Sequence, residues 1–164
     1  MCVMLMDKDV KEMTQDEIRA RIIRLGFGGD EKLFQKFCER LREQLPDGTG
    51  VAIRGSALTA ERWEDGAPFD ADGHGTSDID VTLVGSRVKE YWNEDEFYIP
   101  GLHTKPLCDE DNTIAPELES LRQSLQQIVG RPVNFQATSD FILFVRDVVL
   151  DQPYFMVIEA EEGA

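Results

Sequence analysis

Basic residues are scarce in this sequence. Its 164 residues hold 17 Lys and Arg against 32 Asp and Glu, a formal net charge of −15. Binding to a phosphate backbone is driven by Lys and Arg displacing counterions, so general nucleic-acid binding is excluded unless the few cations cluster. Long apolar runs are missing too: none approaches the roughly 18 residues that span a bilayer. The opening stretch MCVMLMDKDVKE is apolar with no basic region ahead of it, which is not the pattern of a cleavable secretion signal. Three cysteines, Cys2, Cys38 and Cys108, are widely spaced and form no CxxC pair, so neither a disulfide framework nor a zinc site is expected. Only two histidines, His74 and His103, leave little room for imidazole-based metal chemistry. Reduced thiols and no membrane span together lead to the expectation of a cytoplasmic protein.

What remains describes a globular chain with 41% hydrophobic and 30% charged residues. Its length fits one domain over residues 1–164, since domains run to about 100–200 residues. Thr14 and Glu17 form a capping-box pattern ahead of Ile18, Ile22 and Leu25 at helical spacing. Asp30 suits the cap of a second helix, with Leu33, Phe34, Phe37, Cys38, Leu41 and Leu45 on one face before the Pro46-Asp47-Gly48 turn. A short strand, Val51 to Arg54, leads into Gly55-Ser56, and residues 57–76 read as a long polar connection. Ser77 to Val84 alternates as a strand, with Ile79, Val81 and Leu83 on one face and Asp78, Asp80 and Thr82 on the other. Residues 86–113 read as irregular, with one short helix near Val88–Trp92. Pro116 starts a helix with Leu118, Leu121, Leu125 and Ile128 on its buried stripe, ended by Gly130. Val133 to Ala137 and Tyr154 to Ile158 read as strands, and 139–152 as a helix capped by Ser139 despite its β-branched content. Helices and strands interleave without repeats or linkers, which predicts a mixed α and β class.

Two features carry chemistry. Carboxylates two apart on a strand project from one face and grip one or two hard cations through oxygen. Taken alone on so acidic a chain, Asp78 and Asp80 are more readily read as surface charge. A Gly-Ser turn after a strand lets the backbone approach a phosphate closely, while the hydroxyl and nearby N–H groups donate to it. Most such turns are only turns. The combination is more specific: strand, Gly-Ser, connection, then Asp-hydrophobic-Asp within RGSALTAERWEDGAPFDADGHGTSDIDVTLVG, residues 54–85.

In that order the chain resembles the nucleotidyltransferase superfamily that includes DNA polymerase beta. The matching residues are Ile53-Arg54-Gly55-Ser56 and Asp78-Ile79-Asp80-Val81. The resemblance covers about residues 30–138 and is nearest to minimal bacterial nucleotidyltransferases and to the related domains of polymorphic toxins. The toxin-type pattern is matched by Gly55-Ser56, Thr59, Gly66, Pro68-Phe69-Asp70 and Ser77-Asp78-Ile79-Asp80. It implies an α+β fold, a small mixed β-sheet with helices packed on one face. It also implies a nucleoside triphosphate such as ATP bound at Gly55 and Ser56, magnesium (or manganese) held by Asp78 and Asp80, and nucleotidyl transfer to a hydroxyl. The acceptor is open between a protein side chain, an RNA end and a small molecule, and a partner chain is expected to complete its site.

Two departures qualify these expectations. Asp78 lies 22 positions after Ser56, longer than the superfamily's usual spacing, and the extra loop carries Glu61, Glu64, Asp65, Asp70 and Asp72 against Arg62 alone. The superfamily's third carboxylate should fall on the strand after the Gly-Arg-Pro turn, where Asn134 stands instead. Asn offers a carbonyl oxygen but neither charge nor basicity. Glu159 is the favoured substitute and Asp140 a second, unless Glu159 merely begins the acidic tail. Trp63 and Phe69 read as loop anchors or as stacking platforms for a base. Arg54 reads as a phosphate ligand or half of a surface ion pair, Arg131 as a charge ahead of its strand, and His74 as a solvated turn residue. The rival functional reading is a catalytically degenerate nucleotidyltransferase fold acting as a nucleotide-binding or toxin/antitoxin-type interaction module.

Overall fold

The computed structural model describes residues 8–162. Cys2 and most of the apolar N-terminal stretch lie outside them. After a 3₁₀ turn at Val10–Glu12, helix α1 spans Gln15–Gly26. Its capping box forms as expected: the Thr14 hydroxyl accepts from the Glu17 N–H, and the Glu17 carboxylate accepts from the Thr14 N–H, each at 3.2 Å. Helix α2, Glu31–Gln44, starts where the Asp30 carboxylate accepts from the N–H groups of Lys32 and Leu33. Strand β1 is Gly50–Arg54, followed by a single-turn helix α3, Ser56–Thr59. Strand β2, Ile79–Val84, precedes a second short helix, α4, Ser86–Lys89. Two short strands follow, β3 at Phe97–Ile99 and β4 at His103–Thr104. Helix α5, Pro116–Val129, has proline in its first turn and Gly130 at positive φ beyond its end. Strand β5, Val133–Thr138, helix α6, Asp140–Val148, and strand β6, Tyr154–Ile158, complete the chain.

The six strands form one open mixed sheet in the order β3-β4-β5-β2-β1-β6. β1 runs antiparallel to β2 and β6, and β2 runs parallel to β5. The class is therefore α+β, a mixed sheet with helices packed against it. Period-two alternation divides the sheet faces. Val51, Ile53, Ile79, Val81, Leu83, Val133, Phe135 and Ala137 enter a core shared with Ile22, Phe37, Leu41, Leu118 and Leu125 of α1, α2 and α5. Each fully buried Leu, Ile or Phe there contributes roughly 1.5–3 kcal/mol. The opposite face carries Arg54, Asp80, Thr82, Asn134, Gln136 and Thr138, and Arg146 of α6 reaches down onto it by donating to Gln136 Oε1 at 3.1 Å. Gly26 brings α1 close to the sheet, since a Cβ there would sit 3.3 Å from Ile79 Cδ1.

Three segments differ from the sequence reading. The connection 57–76 begins with α3 because Ala57 and Leu58 bury against the core. The stretch 86–113, expected to be irregular, holds the edge strands β3 and β4; its helix starts at Ser86, ahead of the expected Val88. β2 begins at Ile79 instead of Ser77, because the Ser77 N–H donates to the Asp70 carboxylate at 2.9 Å. Segment 139–152 is a helix as read, capped by Ser139. Among the described residues no helix is long and apolar enough to cross a membrane.

Candidate active site

β1 delivers Arg54 and then turns sharply at Gly55, whose φ is 78°. Only glycine fits: φ is in the left-handed region, and an added Cβ would collide with the Asp80 carboxylate. The Gly-Ser turn and the second aspartate, distant in sequence, are therefore in direct van der Waals contact. Asp80 pairs across the sheet with Arg54 on β1 and with Asn134 on β5. Asp78 lies just before β2. The Asn134 amide reaches both carboxylates, donating to Asp78 Oδ2 at 2.6 Å and to Asp80 Oδ1 at 3.3 Å. Asn134 is thus where the sequence placed the third group of the site.

Burial, followed by the charge of Asp78, pushes the Asp80 carboxyl up to about 6, against the opposing pull of Asn134 and Arg54. Burial also raises Asp78, with Glu64 and Glu110 adding like charge. Two half-hidden carboxylates in one corner are the condition that a hard cation relieves. Among the described residues, no group of three or more His, Cys, Asp or Glu side chains could hold a metal ion. The oxygen set here is two carboxylates and one neutral amide. That set fits magnesium arriving with a phosphate ligand, because magnesium takes few protein oxygens and leaves the rest of its octahedron to phosphates and water.

Behind the carboxylates lies a cationic layer of which sequence reading found only Arg54. Arg54 Nε donates to Thr82 Oγ1 at 2.9 Å, and no carboxylate lies within ion-pairing distance of Arg54 among the described residues. Burial and then the charge of Arg146 lower Arg54 to about 10. Arg146 donates through Nε to Gln152 Oε1 at 2.8 Å and through Nη1 to Gln136 Oε1. His103 Nε2 lies 3.1 Å from Gln136 Nε2 and 3.2 Å from Arg146 Nη1, both of them donors. Its Nε2 must therefore be the bare acceptor, and its Nδ1–H donates to Thr138 Oγ1 at 3.0 Å. Burial, Arg146 and Arg54 hold His103 down to about 4, in keeping with a neutral ring. A cleft of about 450 Å³ opens over this layer, with Arg54, Gly55, Ser56, Asp80 and Arg146 among its walls. It reaches Asp80 but not Asp78 or Asn134.

The long loop forms the outer wall, and its charges are mostly spoken for. Arg62 pairs with Asp65 at 2.8 Å and with Asp72 at 2.5 Å. Asp70 receives Arg131 at both oxygens, at 2.8 and 3.1 Å, and the N–H groups of Ser77 and Gly75. Burial opposes that charge, but Arg131 and the two N–H bonds outweigh it and hold Asp70 at about 2. Phe69 lies under the same guanidinium, 4.7 Å from its carbon. Phe69 is thus an anchor, whereas Trp63 stands 77% exposed on the rim of the cleft. Arg131, read in the sequence as a simple charge, is the buried post to which the loop is tied. His74 is solvated as expected, with 95% of its side chain exposed.

The two substitute carboxylates are not brought to the pair. β6 pairs Tyr154 with Arg54 and Ile158 with Val51, so Glu159 lies beyond the opposite end of β1 from Gly55. Asp140 follows Thr138, which pairs with Val84 at the far end of β2 from Asp80. Both line a separate cleft with Ser139 and Tyr154. The polar alternation Asn134, Gln136, Thr138 in β5 was the available signal for the hidden layer. No family model, curated protein or solved structure matches the chain.

Proposed function

We propose that the protein is a magnesium-dependent nucleotidyltransferase, taking a nucleoside triphosphate in the cleft beside Gly55 and Ser56. The contact of Gly55 with Asp80, beside Asp78 and Asn134, carries this reading. In it, Ser56, Arg54 and Arg146 donate to the phosphate oxygens, and Asp78 and Asp80 hold the cation. Magnesium, or manganese in its place, would be held by Asp78 and Asp80 and would supply charge neutralisation to the phosphates. An acceptor hydroxyl attacks the α-phosphorus, its proton is lost, and pyrophosphate leaves. Asn134 is not a base, so the proton passes to an aspartate or to water. The acceptor is a protein side chain, an RNA end or a small molecule, and a cytoplasmic setting supplies both triphosphate and magnesium. The test is pyrophosphate release from labelled triphosphates in the presence of cell extract, lost in Asp78→Asn/Asp80→Asn.

One observation favours a second reading. The Asn134 amide sits where a third charge would bring the metal, and it already bonds both aspartates. In that reading the fold is catalytically degenerate and serves as a nucleotide-binding or toxin/antitoxin-type interaction module. Nucleotide binding without pyrophosphate release, across all four nucleotides and with both magnesium and manganese, selects it.

A further inference from the structure

Helix α6 is inside out. Its cation, Arg146, points to the sheet and bonds Gln136 and the His103 ring, and Leu143 is buried beside it. Its large apolar side chains point away: Phe141, Phe144 and Val148 are 68%, 58% and 61% exposed. Their spacing of three and four residues makes one continuous stripe, the arrangement that normally faces a core. The stripe continues onto the neighbouring hairpin, where Tyr98 and Leu102 are also exposed, because the Ser139 N–H donates to Leu102 O at 3.1 Å. Of the large exposed hydrophobics among the described residues, all but Trp63 lie on this hairpin, on α6 or, as Val149 and Leu150, directly after its end. Clustering of this kind marks an interaction surface.

Charge chooses the occupant. Asp140 and Asp147, seven apart, run along one flank of the stripe. Glu159 shares a cleft with Asp140 and Tyr154 and so adds negative charge near the start of the helix. A second copy laid antiparallel, α6 against α6, would confront these carboxylates with each other, and in any orientation it would join two chains of net charge −15. We infer that this face docks an amphipathic helix of another protein, with an apolar stripe on Phe141, Phe144 and Val148 and a row of Lys or Arg opposite Asp140 and Asp147. This inference stands independently of the transferase reading.

The test uses the full chain and a designed helix of about 20 residues, long enough to be helical, with a leucine stripe flanked by lysines. Its twin carries glutamate in place of lysine. Fluorescence anisotropy should detect binding of the lysine helix and at least about tenfold weaker binding of the twin. Phe141→Ser/Phe144→Ser should weaken the lysine helix at least about tenfold, with the urea midpoint of the chain kept. Asp140→Asn/Asp147→Asn, which leaves the stripe intact, should weaken it several-fold and flatten its salt dependence. Absence of binding, equal binding of the twins, or equal binding to the serine variant overturns the inference. So does a dimer of the chain alone, by sedimentation, that Phe144→Ser dissociates, or a preference of the stripe for phosphatidylcholine vesicles.

Discussion

Replacing Asp80 by Asn should stabilise the protein at neutral pH. The carboxyl of Asp80 is raised from its ordinary 3.8 to about 6 by burial and by Asp78. A raised carboxyl means that the fold prefers the protonated form. The stability it allows is whole below its unfolded value and is lost as pH rises through about 6. The difference is about 2 pH units at 1.36 kcal/mol each, or roughly 3 kcal/mol, which sharing with Asp78 reduces to about 1–3 kcal/mol. Asn keeps the oxygen that accepts from Asn134 and removes the charge. Urea denaturation of both proteins at about pH 5 and about pH 7 supplies the measurement. The variant should be more stable at neutral pH and the gap should shrink toward pH 5. Taking the difference between the two proteins cancels the opposing contribution of His103, which is held neutral in the fold. Millimolar magnesium with ATP should close the gap from the wild-type side by binding the charged form. A variant less stable than wild type at neutral pH would refute the reasoning, since the carboxylate would then be a structural anchor.

Asp70→Asn should cost about 2–4 kcal/mol in urea denaturation, because it leaves the buried Arg131 guanidinium without its charge partner. The depressed Asp70 carboxyl also predicts stability present above about pH 4 and lost as pH falls through about 2, an acid limb that the variant lacks. Gly55→Ala should destabilise by about 1–3 kcal/mol through its positive φ and its clash with Asp80, and should abolish ATP binding by calorimetry. Arg146→Gln should weaken binding of tripolyphosphate at least about tenfold, since it removes a charged donor from the cleft. In the same variant the His103 pKa should rise from about 4 toward its ordinary 6.5, read by NMR titration.

Local signals were legible in the sequence and distant pairings were not. The Thr14–Glu17 box, the Asp30 cap and the Pro116 start act within one helical turn, so spacing alone located them. The Gly55-Ser56 turn and the Asp78, Asn134 and Asp80 group were legible because strand order and a two-residue period bring them together. The hairpin β3–β4 was missed because strands of two or three residues leave no periodic trace; only the pairing of β3 with β4, and of β4 with β5, makes them strands. Arg131 looked like a stray charge because its partner, Asp70, is 61 positions away. Arg146 was hidden by its surroundings, a single cation in a helix whose apolar residues face outward. Glu159 looked plausible as a third carboxylate because sequence does not reveal that β6 runs antiparallel to β1, which carries it to the other end of the sheet.

The central claim is that Asp78 and Asp80 hold a divalent cation for a triphosphate seated at Gly55 and Ser56. Calorimetry of ATP binding with and without magnesium, on wild type and on Asp78→Asn/Asp80→Asn, tests it most directly. The account predicts magnesium-dependent binding by wild type and its loss in the folded double variant. Equally tight binding by both proteins, or binding indifferent to magnesium, would contradict it.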